Sequence, residues 1–338
     1  MDFDLELRAV PKVAAVVILS VTYARFISSH LRPGLPRLLP LLPVLSLLPF
    51  LPMLFTSIHF RTNAGFFISW LCLFKLLLLC FGRGPLDPSL PFISFLSLAS
   101  LPVKLPTTND PKNQSSFHSL SPKYLLTTAI KAALFAGLLS LYRFRDQMHP
   151  YLFLVMLCFH IYLSLELLLG TAAILAGAIL GMEFEPQFNK PYFSSSLCDF
   201  WGRRWNLMVS AILRPSVYIP VRSCTGRAAA VIATFIVSGI MHELMFYYIT
   251  LLPPNGVVLL FFILHGICTA VEGWYAQHGN WRRPPKILAT VGAVAFVTYT
   301  SFWLFFPAML RGGALENGMM EIESIIGLFT GDMYLVKD

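Results

Sequence analysis

Apolar stretches recur along the whole chain at lengths that match a bilayer. A helix crossing the hydrocarbon needs about 20 mainly apolar residues. Eight runs approach or exceed that: residues 9–29, 35–55, 65–81, 122–141, 151–181, 228–252, 257–276 and 286–309. With no water to meet backbone N–H and C=O groups, each run predicts a helix. The second carries Pro36, Pro40, Pro43, Pro49 and Pro52. It reads as an irregular span or a re-entrant hairpin, because each proline removes a helical hydrogen bond. The fifth is long enough to tilt or to run past the bilayer. Between the third and fourth lies a loop, residues 82–121, whose apolar middle (90–101) is expected at the membrane interface. Residues 182–227 form a polar region, and the tail from Arg311 carries Glu316, Glu321, Glu323 and Asp332.

This pattern predicts an all-α polytopic membrane protein of about eight transmembrane helices. Residues 1–338 read as a single integral membrane domain with a motif-bearing core at about 190–275. Composition agrees. Of 338 residues, 56% are hydrophobic and only 12% are charged, against about 25% charged in soluble domains. Mean hydropathy is +0.68. The start, Met1-Asp2-Phe3-Asp4-Leu5-Glu6, is acidic where a signal peptide is basic, so the first span is expected to stay as an anchor.

The net charge of +8 does not point to nucleic acid, because the Lys and Arg sit in loops between spans rather than on one amphipathic face. They orient the chain instead. With a lumenal N-terminus, the cytosolic loops hold 14 Lys plus Arg and the opposite side holds 7, as the positive-inside rule expects. Both termini are then lumenal and the polar region 182–227 is cytosolic. The six cysteines include no CxxC pair, so neither a disulfide framework nor a metal site is implied.

Chemistry concentrates between Asp199 and Glu243. The sixth run contains Ser238-Gly239-Ile240-Met241-His242-Glu243. An ionisable residue at membrane depth is costly and is a functional candidate for that reason. On a helix His242 shares a face with Ser238 and Gly239, and Gly239 leaves room for a substrate or another helix. A buried neutral imidazole can take a proton from a hydroxyl; the alternative is a core histidine bonded to a neighbouring helix. Glu243 points about 100° away and suits a pairing role. The sequence His242-Glu243-Leu244-Met245-Phe246 lacks the second histidine of a zinc-protease motif.

Upstream stands Phe200-Trp201-Gly202-Arg203-Arg204-Trp205-Asn206. The Asn206 amide can hold a polar group of an ester or thioester, and Arg203 and Arg204 can meet phosphates. An interfacial Trp/Arg belt is the competing reading. In the seventh run His265 and Glu272, seven apart, share a face and suggest a polar stripe along a cavity. Lys75, Lys131, His160 and Glu166 read as snorkelling or paired residues. The GxSxG elbow, the Walker A loop and GxGxxG after a strand are absent.

These motifs resemble the membrane-bound O-acyltransferase superfamily, and within it the plant wax synthase group. The resemblance rests on residues 200–206, similar to the FYxDWWN-type motif, and on His242 in a Ser-Gly-x-x-His-Glu setting. Lys75-Leu76 and Gly82-Arg83-Gly84-Pro85-Leu86 also resemble that group. One departure is Gly202-Arg203-Arg204 in place of the acidic, bulky middle of the motif. The resemblance implies an endoplasmic-reticulum enzyme that moves an acyl group from acyl-CoA to a lipophilic hydroxyl acceptor. It implies His242 as catalytic base with Asn206 near the acyl carbonyl, and acyl-CoA contacts from Trp201, Arg203, Arg204 and Trp205. A tunnel lined by Ser238, Gly239, His265 and Glu272 follows from the same comparison. Acyl-CoA is then a cosubstrate, with no permanently bound cofactor and no metal, and membrane lipids are the other partners. A fatty alcohol, a sterol, a terpenoid alcohol and diacylglycerol all remain open as acceptors. A transporter stays open as a different class, because intramembrane charges and a Pro-broken span also suit a carrier. Oligomeric state is not legible.

Overall fold

The computed structural model describes residues 3–103, 122–181, 184–278 and 284–330. Lys104, Lys112, Arg282, Arg283, Asp332 and Lys337, all used in the charge count or the tail, lie outside the described residues. In chain order the helices are α1 (Phe3–His30), α2 (Leu35–Leu54), α3 (Ile58–Cys80), α4 (Phe92–Ser100), α5 (Tyr124–Gln147) and α6 (Pro150–Leu180). Then follow α7 (Leu197–Arg203), α8 (Leu207–Leu213), α9 (Ile219–Thr225), α10 (Arg227–Thr250), α11 (Val257–His278), α12 (Lys286–Met309) and α13 (Ala314–Thr330). Eight of them are long and apolar enough to cross a membrane, and they match the eight apolar runs. The protein is an all-α polytopic membrane protein.

The described residues group into two compact units. The first holds residues 1–100, 232–266 and 303–338, and the second holds 101–231 and 267–302. Each unit gathers pieces that lie far apart in the chain.

In the first unit, α1 buries Ala9, Val13, Val17, Val21, Ala24 and Ser28. Their spacing of three or four residues is one helical face, and small side chains on it allow close packing. Leu7, Leu19 and Phe26 on the other faces stay exposed, as a lipid-facing surface requires. Arg25 turns to a loop, donating to Pro88 O (3.1 Å) and Leu90 O (2.7 Å).

Between the hairpin and the irregular span, the proline-rich run is the irregular span. It is α-helical to Leu47 and tightens to a 3-10 helix over Leu48–Leu54. Pro52 has no N–H for Leu48 O, and Ser69 Oγ donates to that oxygen at 3.2 Å. Tyr248 Oη likewise donates to Pro49 O at 2.6 Å. The apolar middle of the loop forms α4, whose nine residues are too short to span. Lys75, fully buried, donates to Leu98 O at 2.6 Å. An ammonium there favours the carbonyl end of that helix.

Two carboxylates hold the start of α3. Glu6 Oε1 accepts from the N–H groups of Thr56 (2.8 Å) and Ser57 (2.7 Å). Glu321, from α13, accepts from Ile58 N–H (2.8 Å) and Ser57 Oγ (2.9 Å), and His59 Nδ1 lies 2.8 Å away. First-turn N–H groups have no intrahelical acceptor, so Glu321 satisfies a donor that the helix cannot, while Glu6 takes the two N–H groups that lead into it. Arg61, buried beside them, donates to Thr56 O at 3.0 Å and to Tyr248 O. Gly65 lets the Tyr248 ring press onto α3, where a Cβ would collide with it.

In the second unit α5 and α6 pack together, with Lys131 Nζ 2.5 Å from Glu166 Oε1. Tyr142 Oη lies 3.0 Å from His160 Nδ1. These ionisable groups are paired, as the sequence suggested.

Burial alone would raise the Glu321 carboxyl, but its bonds from Ile58, His59 and Ser57 outweigh that and hold it below the usual carboxylate range. A depressed carboxylate stabilises the fold above its unfolded pKa and loses that contribution as pH falls through the folded one. Glu321→Ala is therefore expected to cost about 2 kcal/mol at neutral pH, read as a lower melting temperature in detergent. The wild-type margin over the variant should persist at pH 6 and shrink below about pH 4.3. A margin that acid does not erode would contradict the clasp.

Candidate active site

His242 sits in α10 and is half-buried, with Ser238 one turn before it. Its Nδ1 lies 2.7 Å from Ser238 O. A carbonyl can only accept, so Nδ1 carries the proton and donates it. In the neutral ring Nε2 then keeps a lone pair. Aromatic rings enclose the imidazole: Phe262 stacks at 4.2 Å and 29°, Trp70 meets it edge-on at 4.9 Å and 82°, and Phe305 lies at 5.9 Å.

Trp70 and Phe305 both come from π-helical segments, Gly65–Cys72 and Ser301–Phe305. A π turn adds a residue per hydrogen-bonded ring and shifts the facing side chains, and such segments are frequent at functional sites. Helical periodicity at 3.6 residues cannot anticipate that shift, and Phe262, Trp70 and Phe305 were not foreseen as neighbours of His242.

Gly239 is occupied by protein. A Cβ there would stand 2.7 Å from Leu259 Cδ1 and 3.1 Å from Phe262 Cβ. Of the two occupants considered, it is the neighbouring helix that approaches. The same contact brings Phe262 up to His242. Glu243 Oε1 accepts from Leu259 N–H at 3.0 Å, meeting an orphan donor in the first turn of α11. It ties two helices together, and its partner is a backbone amide. His265 is fully buried, with the Phe261 ring at 4.2 Å.

The aromatic-basic motif folds in the second unit as α7, a tight turn and α8. Ser196 caps α7, accepting from Asp199 N–H at 3.0 Å. Asp199 Oδ2 takes Arg204 Nε at 2.7 Å, and Oδ1 lies 3.1 Å from Arg203 Nε. Arg204 also donates to Asn189 O at 3.1 Å. The expectation that both arginines meet phosphates therefore changes for Arg204, which is spent inside the motif. Arg203 keeps 74% of its side chain exposed. Trp205 stacks on Phe200 at 5.3 Å and 15°, and Trp201 meets Phe200 edge-on at 4.9 Å.

Asn206 has a left-handed backbone, φ 40 and ψ 66, and its Oδ1 accepts from Val209 N–H at 3.3 Å as the cap of α8. Asn is among the few residues that adopt this conformation readily, and it is a favoured cap. Glu272 accepts from Cys198 N–H at 2.7 Å. That bond fixes the start of α7, and it differs from the tunnel-lining role expected for Glu272. His265 falls in the first unit and Glu272 in the second. His242, Ser238 and Gly239 belong to the first unit; Trp201, Arg203, Arg204, Trp205, Asn206 and Glu272 belong to the second.

The charges in the motif are settled by these contacts. Burial would raise the Asp199 carboxyl, but Arg204, Ser195 N–H and Arg203 hold it below the usual range. Burial, with Glu272 adding to it, pushes the Cys198 thiol up to about 12. Cys198 is thus a neutral thiol at physiological pH and unsuited to nucleophilic work.

Known proteins decide the family. A profile of the Membrane bound O-acyl transferase family matches residues 184–264. A "Probable long-chain-alcohol O-fatty-acyltransferase 1" from Arabidopsis thaliana is 39% identical over 92% of this chain and 94% of its own length. The chain belongs to the membrane-bound O-acyltransferase family. Its full-length relatives extend the match to the plant wax synthase group. The "Long-chain-alcohol O-fatty-acyltransferase" of Simmondsia chinensis is 40% identical over 93% of both chains. An "Acyl-CoA--sterol O-acyltransferase 1" from Arabidopsis thaliana is 39% identical over 93% of both. The chain is an acyltransferase, and the transporter reading is set aside. Equal identities to relatives named for different acceptors leave the acceptor to other evidence.

Asn206 substitutions separate backbone from side-chain demands. Asn206→Ala loses the cap and strains a positive φ, and should cost about 2 kcal/mol. Asn206→Asp retains a cap oxygen and tolerates the left-handed region, so its melting temperature in detergent should stay near wild type. Equal losses for both variants would contradict the capping role.

Proposed function

We propose that the chain transfers an acyl group from acyl-CoA to the hydroxyl of a long-chain alcohol, giving a wax ester, with His242 as general base. The observation that carries the mechanism is the Nδ1–H bond to Ser238 O (2.7 Å). It holds the imidazole in the tautomer whose Nε2 can accept a proton. The alcohol gives its proton to Nε2 as its oxygen attacks the thioester carbonyl. The tetrahedral oxyanion collapses, the C–S bond breaks, and the imidazolium returns the proton to the thiolate. Free CoA and the ester leave. A neutral base among aromatic rings suits this step, since direct transfer needs no covalent nucleophile.

Asn206 supplies its amide N–H groups near the acyl carbonyl, its Oδ1 being engaged at α8. Arg203, exposed beside Asp199, meets the phosphates of CoA, and Trp201 and Trp205 flank it. Acyl-CoA is a cosubstrate and no permanent cofactor takes part. The enzyme works in the endoplasmic-reticulum membrane. A sterol acceptor is the second reading, favoured by the sterol-esterifying relative at 39% identity.

Microsomes containing the full chain, supplied with labelled acetyl-, palmitoyl- or oleoyl-CoA and either fatty alcohol, sterol or diacylglycerol, test this directly. Wax ester should exceed other esters by at least about ten-fold. Asn206→Asp, folded, should lose about 10²-fold in kcat. Sterol ester as the main product would transfer the assignment to the second reading, and no ester from any pair would overturn both.

A further inference from the structure

Trp70 packs against the imidazole of His242 without a task in the transfer step described above. Its side chain is 2% exposed, and its Nε1–H is buried with no hydrogen-bond partner among the described residues. Buried polar groups are nearly always paired. An orphan donor beside a base therefore calls for an acceptor that those residues do not supply.

The fold holds this indole in place. Trp70 lies in the π-helical segment Gly65–Cys72 of α3, whose wider turn moves side chains off the ordinary helical register. Next to it, Ser69 Oγ donates to Leu48 O and lies 3.2 Å from Tyr248 Oη. Those contacts tie the segment to α2 and α10. The Phe66 ring packs perpendicular to the indole, at 5.7 Å and 88°, and the imidazole meets it at 4.9 Å and 82°. Of the three rings on His242, those of Phe262, Phe305 and Trp70, only the indole carries a polar hydrogen.

An indole N–H donates and cannot accept, so its partner is an oxygen with a free lone pair and never a cation. Two oxygens come to a base that deprotonates a hydroxyl: that of the attacking alcohol and that of the acyl carbonyl. A hydrogen bond donated to the alcohol oxygen would weaken it as a nucleophile. The carbonyl oxygen gains negative charge as attack proceeds, so a bond donated to it strengthens on the way to the transition state. A donor already fixed and dry serves that charge without reorganising.

We propose that Trp70 is a further catalytic residue of acyl transfer, its Nε1–H donating to the thioester carbonyl oxygen as that oxygen becomes the oxyanion. No proton leaves the indole. The alcohol oxygen bonds to the carbonyl carbon and gives its proton to His242 Nε2, while the carbonyl π pair moves onto the oxygen held by Trp70. Return of that pair expels the thiolate, which takes the proton from the imidazolium. The proposal rests on the acyl-transfer reading above. It adds a donor from the same unit as the base and is independent of the role given to Asn206.

The test uses the full chain in nanodiscs with benzothienylalanine in place of Trp70, so that sulfur replaces the N–H at nearly constant shape, and with Trp70→Phe as a second variant. The benzothienyl protein should keep the wild-type melting temperature, because the N–H it lacks is unpaired. Single-turnover acyl transfer from palmitoyl-CoA should fall about 10²-fold in each folded variant, with affinity for palmitoyl-CoA unchanged. A trifluoromethyl ketone analogue of palmitoyl-CoA hydrates to a tetrahedral mimic of the intermediate and should bind the variants about 10²-fold less tightly. The thioether analogue, which lacks the carbonyl oxygen, should bind all three proteins alike. A wild-type transfer rate in the benzothienyl protein would overturn this proposal alone. So would a lowered melting temperature in that protein, or equal losses of affinity for both analogues, each of which marks a packing role. No ester from the wild-type chain would overturn the acyl-transfer reading and this proposal with it.

Discussion

In hydrocarbon, a polar group that finds no partner inside the protein finds none at all. That constraint accounts for a set of polar contacts among the described residues. Lys75 reaches a helix-end carbonyl, Lys131 and Glu166 neutralise each other, and Ser69 and Tyr248 serve carbonyls in the proline-rich span. Glu321 and Glu243 meet first-turn amides, and Glu6 meets the amides just before α3. At His242, Nδ1 is settled on Ser238 O, and the proposed chemistry uses the other nitrogen.

The packing around that ring joins fold to function. Gly239 allows α11 to approach closely enough for Phe262 to stack on the imidazole. Arg61 and Tyr248 tie α3 to α10, and α3 carries Trp70 to the edge of the same ring. Catalytic geometry that is held by packed side chains is more exact than geometry held by loops. The clasp of Glu6 and Glu321 at the start of α3 therefore belongs to the support of the site as well as to stability.

Much of this was legible in the sequence, for physical reasons. Eight apolar runs became eight helices because hydrocarbon thickness dictates length. His242 stood out because burying an ionisable group at that depth is costly. The partners were not legible. Asp199 is the exception, since it precedes Arg203 by four residues, a spacing that signals a pair on a helix. The cap made by Asn206 depends on a left-handed backbone, and the neighbours Trp70 and Phe305 depend on π turns; neither leaves a periodic trace. Glu272 and His265 share a helix face by spacing, yet Glu272 serves the start of α7, a contact across 74 residues that no local pattern encodes.

The central claim is that His242 is the base of acyl transfer. It is tested most directly by measuring single-turnover acyl transfer with purified His242→Ala, matched to wild type in expression and melting temperature. The account predicts a loss of at least about 10²-fold in the chemical step with binding of acyl-CoA unchanged. Ester formed at the wild-type rate by the folded variant would contradict it.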